Sequence, residues 1–218
     1  MKSLFDRFKG FAATALSEHA ADDEGFFSTQ FMERPATFKS NSGWQARALV
    51  VGAQPLSEQE GLAALDAVWA QDHFYSALDD TERRRLVEYF DFVTVPASRE
   101  VVVQEEKGDY ALVVLDGVAA MDRIQPTGAR ARLAEARSGD VLGEMSLVDS
   151  GVRYASCLTL APCKLAVIST TALDDMAIDD PRLGMAVMAC VARRLSLRTR
   201  QVSARLGALL ASNDTSAR

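Results

Sequence analysis

The chain has 218 residues, 48% of them hydrophobic and 25% charged, and a net charge of −6. It is long enough to bury a hydrophobic core, carries no run of about eighteen apolar residues to span a membrane, and its acidic balance argues against nonspecific nucleic-acid binding by the whole chain. Cys157, Cys163 and Cys190 lack paired spacing and read as reduced, packed thiols, His19 and His73 have no second ligand nearby, and no G-x-S-x-G elbow is present. A zinc or redox centre, a histidine-based metal site and a Ser-His-Asp hydrolase are thereby disfavoured, leaving a non-enzymatic protein as the expectation.

The N-terminal run MKSLFDRFKGF is interrupted by Asp6, Arg7 and Lys9 and has no uninterrupted apolar core of the secretory kind, so the cytoplasm is the default compartment. Leu4, Phe5, Phe8, Phe11, Ala12 and Ala15 recur at helical spacing behind Ser3, which predicts an amphipathic helix within 1–18. Residues 19–56 read as a linker or loosely docked segment, in which 20–43 looks like a tether of about 25 residues that would let the first helix range roughly 25–30 Å. Within it, WQARALVVGA at 44–53 looks like a short strand. Ser57 with Glu60, and Asp79 with Glu82, form capping-box signatures ahead of LAALDAVWAQDHF and TERRRLVEYF.

From Phe92 to Ser169 the texture changes. FVTVP, REVVVQ, ALVVLDGVAAM, ARLAEA, YASCLTL and KLAVIS are short strand-like runs punctuated by Gly, Asp, Pro and Ser. Such spacing predicts an antiparallel roll or barrel, which removes exposed sheet edges. After Pro181 the period returns to about 3.6 and predicts a helix over 181–211, ahead of a tail at 212–218. Between Pro181 and Asn213 stand six arginines and no acid, so with a total of −6 the remainder carries −12. The apolar stripe Val187, Val191, Leu195, Val202, Leu206, Leu209 is interrupted at Arg198. About 30 residues of helix span roughly 45 Å, too long for one small barrel to cover, so the first half packs on its own domain and a partner's matching helix best explains the second.

GDVLGEMSLVDSGVRYAS, preceded by VPASREVVVQEEKGDYALVVLDGVAAM and followed by DPRLGMAVMACVARRLSLRTRQV, resembles the phosphate-binding cassette, first strands and hinge-plus-dimer helix of the cyclic nucleotide-binding domain found in the catabolite activator family and in kinase regulatory subunits. The resemblance covers about Phe74–Val202 and places the turn glycine at Gly117. It implies an α+β fold: an antiparallel jelly-roll over 57–180 with its leading helices, and a long C-terminal helix serving a homodimer.

The chemistry of such a cassette is simple. A buried phosphodiester needs positive charge and directed donors. A short helix beginning at Glu144 would aim the first N–H groups, at Met145 and Ser146, toward it, while Gly143 permits close backbone approach and Arg153 adds a planar pair of donors. The resemblance implies that Glu144 accepts from a ribose 2′-hydroxyl and that Ser156 reaches a phosphate or base edge. The competing reading is a structural Glu144–Arg153 salt bridge in a ligand-free roll that acts as a scaffold.

Three departures stand out. Val152 replaces the proline that often precedes the arginine. Tyr154 follows it, against a guanine preference, which leaves cyclic AMP favoured while cyclic GMP and cyclic di-GMP stay open. On the dimer helix, Arg198 and Thr199 occupy the adenine-contacting pair, and Arg198 can cap a base, reach a phosphate or face solvent. A further departure follows Leu206, where GALLASNDTSAR is too short for the winged helix-turn-helix of transcriptional relatives; the expectation is a sensor without DNA output, no integral membrane association, and a protein partner. The hinge at Asp179, Asp180 and Pro181 is the candidate two-state element. The N-terminal helix is open to docking on its own domain or dimer mate, on a partner, or on a membrane surface.

Overall fold

The computed structural model describes Gly43–Ser216; the expected helix within 1–18 and most of the tether lie outside the described residues. Trp44–Val51, the expected strand, is instead helix α1. Gly52 ends it in the left-handed region at φ 67°, its N–H turned back to Ala48 and Leu49 carbonyls. The helical period is carried by Trp44, Arg47 and Val51, all buried, so an arginine sits on the inward face where an apolar residue would have announced a helix.

A two-residue strand β1 (Gln54–Pro55) leads to α2 (Glu58–Trp69), α3 (His73–Ser76) and α4 (Asp80–Arg84) with a 3-10 turn at Arg85–Glu88. Ser57 caps α2 through the Glu60 N–H, and Asp79 with Glu82 forms the full reciprocal box. Trp69 meets Tyr75 and Phe90 edge-on at 5.4 and 6.2 Å, tying these helices to the start of β2.

The expected roll follows: β2 (Asp91–Val95), β3 (Glu100–Val102), β4 (Tyr110–Asp116), β5 (Ala119–Ile124), β6 (Arg130–Ala136), β7 (Val141–Leu142), α5 (Glu144–Asp149), β8 (Ser156–Thr159) and β9 (Cys163–Ser169). Two antiparallel sheets form, ordered β1-β2-β9-β4-β7 and β3-β8-β5-β6. Their facing side chains, among them Val95, Val101, Leu112, Val114, Leu142 and Leu165, make one core that also takes in Trp44 and Val51 of α1. β4 is buried along six of its seven residues, because the roll interior covers one face and α2 and α5 lie against the strand. This double burial explains the unbroken apolar run ALVVL. Cys157, Cys163 and Cys190 are free thiols in buried positions.

α6 (Thr170–Asp179) leads into α7 (Pro181–Ser216). At their joint Asp180 is 8% exposed and accepts hydrogen bonds from Arg85 and from Tyr89, the latter at 2.5 Å. Leu183, Ala186, Val187, Cys190 and Val191 bury the first half of α7, whereas Leu197, Val202, Leu206 and Leu210 are exposed along the second. The arginines of α7 turn toward the acidic body: Arg182 pairs with Glu82 at 3.0 Å, Arg193 with Asp72 at 3.7 Å, and Arg198 with Glu144.

Gly117, between β4 and β5, has φ 97°, and a Cβ there would lie 2.6 Å from the Pro162 carbonyl oxygen and 2.7 Å from Cys163 Sγ. Gly117→Ala should therefore lower unfolding free energy by about 1–3 kcal/mol in urea denaturation; a variant as stable as the parent would show that the turn relaxes freely.

Candidate functional site

The site is organised around Arg153, which follows the loop after α5 and is 3% exposed. Its Nη1 donates to the Gly143 carbonyl at 2.8 Å and its Nη2 to the Tyr110 carbonyl at 2.7 Å. Its guanidinium carbon lies 4.4 Å from the centroid of the Tyr110 ring, a cation–π contact. Its backbone is pinned to the β3–β4 loop, with the Arg153 N–H on the Glu106 carbonyl at 2.8 Å and the Glu105 N–H on the Arg153 carbonyl at 2.9 Å. The space is built from absent side chains. A Cβ at Gly108 would lie 2.3 Å from the guanidinium, and one at Gly143 2.4 Å from Nη1.

No carboxylate lies within ion-pair distance of Arg153 among the described residues; two carbonyl dipoles and an aromatic face touch its charge, and Asp109 acts on it from farther off. Burial is the main influence on the guanidinium and pulls its pKa below the usual arginine value, against smaller opposing effects led by Tyr110. A buried cation of this kind is compensated further by an anion entering beside it.

Glu144 opens α5 and is 2% exposed. The salt bridge to Arg153 that its sequence position allowed does not form; Glu144 pairs with Arg198 of α7, whose Nη2 also donates to the Val141 carbonyl at 2.6 Å. Arg198 thus neither faces solvent nor stands apart from the cassette, and the break it makes in the apolar stripe of α7 is the price of this contact. Burial pushes the Glu144 carboxyl above its ordinary range, outweighing the neighbouring charges of Arg198 and Arg153.

Gly143, Glu144, Met145, Ser146, Arg153 and Tyr154 line one small cleft together with Arg198, and Val102, Met121, Ala155 and Cys157 complete its wall. Its volume is about 40 Å³, far below the roughly 300–1,000 Å³ typical of ligand pockets. Arg198 and Met121 also line an adjoining cavity of about 110 Å³ with Asp140, Arg194, Leu197 and Gln201. Gly143 stands in the left-handed region at φ 76° and leaves the first turn of α5 without a side-chain cap. Ser156 and Thr199 do not line the cleft: Ser156 Oγ accepts the Gln104 N–H at 3.0 Å, and Thr199 Oγ1 bonds back to the Leu195 carbonyl at 2.9 Å. Tyr154 is 52% exposed, with the Arg123 guanidinium 4.1 Å over its ring.

Sequence reading missed Tyr110 and Gly108. The KGDY turn before β4 carried a signal, a glycine followed by a strand-initiating aromatic, but which side chain it faces depends on contacts 43 to 45 residues away. Among the described residues no group of three or more His, Cys, Asp or Glu could hold a metal ion, and no helix is long and apolar enough to cross a membrane.

The protein-family model of the cyclic nucleotide-binding domain matches residues 92–180. The CRP-like cAMP-activated global transcriptional regulator of Mycobacterium tuberculosis is 24% identical over 131 residues, which cover 60% of this chain and 58% of the regulator, so the chain spans little more than half the length of these curated relatives. Among solved structures, a cyclic nucleotide-binding domain from Methylobacillus flagellatus KT is similar with TM-score 0.64 and 26% identity, over 70% of this chain and 85% of that one. The catabolite activator protein of Thermus thermophilus is similar with TM-score 0.52 and 25% identity, over 62% of each chain.

Glu144 supplies a pH test. A carboxyl whose pKa is raised in the fold holds its proton more tightly there than in the unfolded chain. Its favourable contribution is therefore present at low pH and is lost as pH rises from the ordinary value of 4.5 through the raised one. The stability of the parent minus that of Glu144→Gln should decline as pH rises above about 4.5 in urea denaturation series; a difference that grows with pH would mean that Arg198 outweighs burial.

Proposed function

We infer, with residues 92–180 being a cyclic nucleotide-binding domain related to the catabolite activator-like regulators, that this chain is a sensor in which a cyclic nucleotide, with cyclic AMP favoured, settles on Arg153 and Glu144 and is read out through α7. The observation that carries the reading is Arg153: a 3%-exposed guanidinium held by two carbonyls and a tyrosine ring, without a carboxylate partner among the described residues. The cAMP-activated relatives support the choice of base, and the regulatory family supports a role in binding rather than catalysis.

The residues fit the ligand's chemistry. The phosphodiester would lie against the Arg153 guanidinium and the first N–H groups of α5, each charge-assisted bond contributing about 1.5–3 kcal/mol. The ribose 2′-hydroxyl would donate to Glu144. Glu144 is already engaged by Arg198 through one oxygen, and on this reading the sugar displaces that arginine rather than sharing the carboxylate with it. Entry of the nucleotide requires Arg198 to leave, which joins the cleft to the adjoining cavity and frees α7 from the cassette. Differential affinity, the condition for a ligand to shift a two-state equilibrium, is thereby supplied. The Asp180 joint, clamped by Arg85 and Tyr89, is where α7 would pivot. Leu197, Val202, Leu206 and Leu210 would meet a second copy of α7 in a homodimer, and the repositioned helix would be presented to a protein partner.

A second reading, a ligand-free scaffold, draws on one observation: the cleft is only about 40 Å³, and its carboxylate Glu144 is already paired with Arg198. Calorimetric titration with cyclic AMP, cyclic GMP and cyclic di-GMP separates the two. The sensor reading expects heat with at least one nucleotide, strongest with cyclic AMP, and a loss of about tenfold or more in affinity for Arg153→Ala. Arg198→Ala should move the other way and tighten binding by roughly three- to tenfold, since it removes the competitor. Silence with all three nucleotides would establish the scaffold.

A further inference from the structure

Helix α1 lies outside the residues that match the family model, yet it is built into the support of Arg153. Trp44, 4% exposed, packs its ring 5.4 Å from that of Tyr110, and Tyr110 carries the Arg153 guanidinium on its ring and on its carbonyl. Arg47, 9% exposed, pairs with the Glu106 carboxylate, and the carbonyl of that same Glu106 accepts the Arg153 N–H. Arg47 also stands beside the Tyr110 hydroxyl, which itself donates to the Val101 carbonyl at 2.7 Å. Two routes, one through a ring and one through a loop, thus run from a single helix to the backbone and the guanidinium of Arg153. A buried arginine is a costly way to anchor a helix on a core that could have taken a leucine. An arginine does what leucine would not, since its guanidinium holds the Glu106 carboxylate and with it the loop that carries it.

We propose that α1 is a positioning element for the anion cradle, in which Arg47, through Glu106 and Tyr110, fixes the orientation of Arg153 and so sets how tightly a phosphodiester is held. The proposal rests on the sensor reading for its ligand but not for its geometry.

The test uses the full chain and three variants, Arg47→Met, Arg47→Lys and Glu106→Gln, the last keeping the loop's shape and carbonyl. Two quantities are read below the unfolding transition: the Kd for cyclic AMP by calorimetry, and the Nε–Hε resonance of Arg153 by NMR, assigned by its loss in Arg153→Lys. Arg47→Met and Glu106→Gln should weaken cyclic AMP by about three- to thirtyfold and shift or broaden the Arg153 signal, with Arg47→Lys closer to the parent in both. A role confined to fold stability would lower the unfolding temperature and leave the Arg153 signal in place. An Arg153 signal unchanged in both Arg47→Met and Glu106→Gln overturns the proposal, whatever the affinities. Should the parent give no heat with cyclic AMP, the sensor reading fails on its own, and the Arg153 resonance still decides this one.

Discussion

A cation removed from water must be surrounded by oxygen or by another charge, and in this protein the surroundings of Arg153 are made almost entirely from backbone. The guanidinium takes the carbonyls of Gly143 and Tyr110, and it fits only because Gly108 and Gly143 have no side chains to fill the space it uses. Much else is arranged around that requirement. The left-handed Gly143 both starts α5 and yields its carbonyl; the β3–β4 loop lends Glu105 and Glu106 to the arginine's own peptide groups; β4 begins on Tyr110 so that a ring lies beneath the charge. Because no carboxylate neutralises it among the described residues, the arginine remains available to a phosphodiester, whereas an arginine already paired with an acid would have to break that pair first.

The second charge in the cleft is treated in the opposite way. Glu144 is as buried as Arg153, but its partner Arg198 belongs to another element, a quarter of its side chain still exposed. A pair with one solvent-accessible member can be exchanged, because the departing guanidinium is rehydrated while an incoming hydroxyl takes its place on the carboxylate. On the sensor reading, that difference between a fixed cation and a replaceable one is what would turn the pocket into a switch. Three of the arginines of α7, at 182, 193 and 198, are matched to acids on the body of the protein.

Much of this was legible in the residues. The short strands and the Asp79–Glu82 capping box emerged from local spacing, because strand alternation and caps are local physics, whereas the turn at Gly117 and the cluster from Gly143 to Tyr154 came from the resemblance to the cyclic nucleotide-binding domain. What stayed hidden was long-range or polar. WQARALVV looks like a strand because β-branched residues end it and because Arg47 occupies the inward position that would have completed a helical stripe. That arginine is buried only by virtue of Glu106, 59 residues away. Arg198 showed itself as an interruption in a stripe, but its partner lies 54 residues earlier, and no periodicity can name it. Ser156 and Thr199, chosen for their place in the pattern, are occupied by backbone contacts away from the cleft.

The account therefore turns on a single exchange at Glu144. Determination of the structure with cyclic AMP bound tests it most directly. The account predicts the phosphodiester on Arg153, the ribose 2′-hydroxyl on Glu144, and Arg198 moved beyond ion-pair distance from that carboxylate, with α7 displaced. A bound nucleotide that leaves the Arg198–Glu144 pair intact would contradict it.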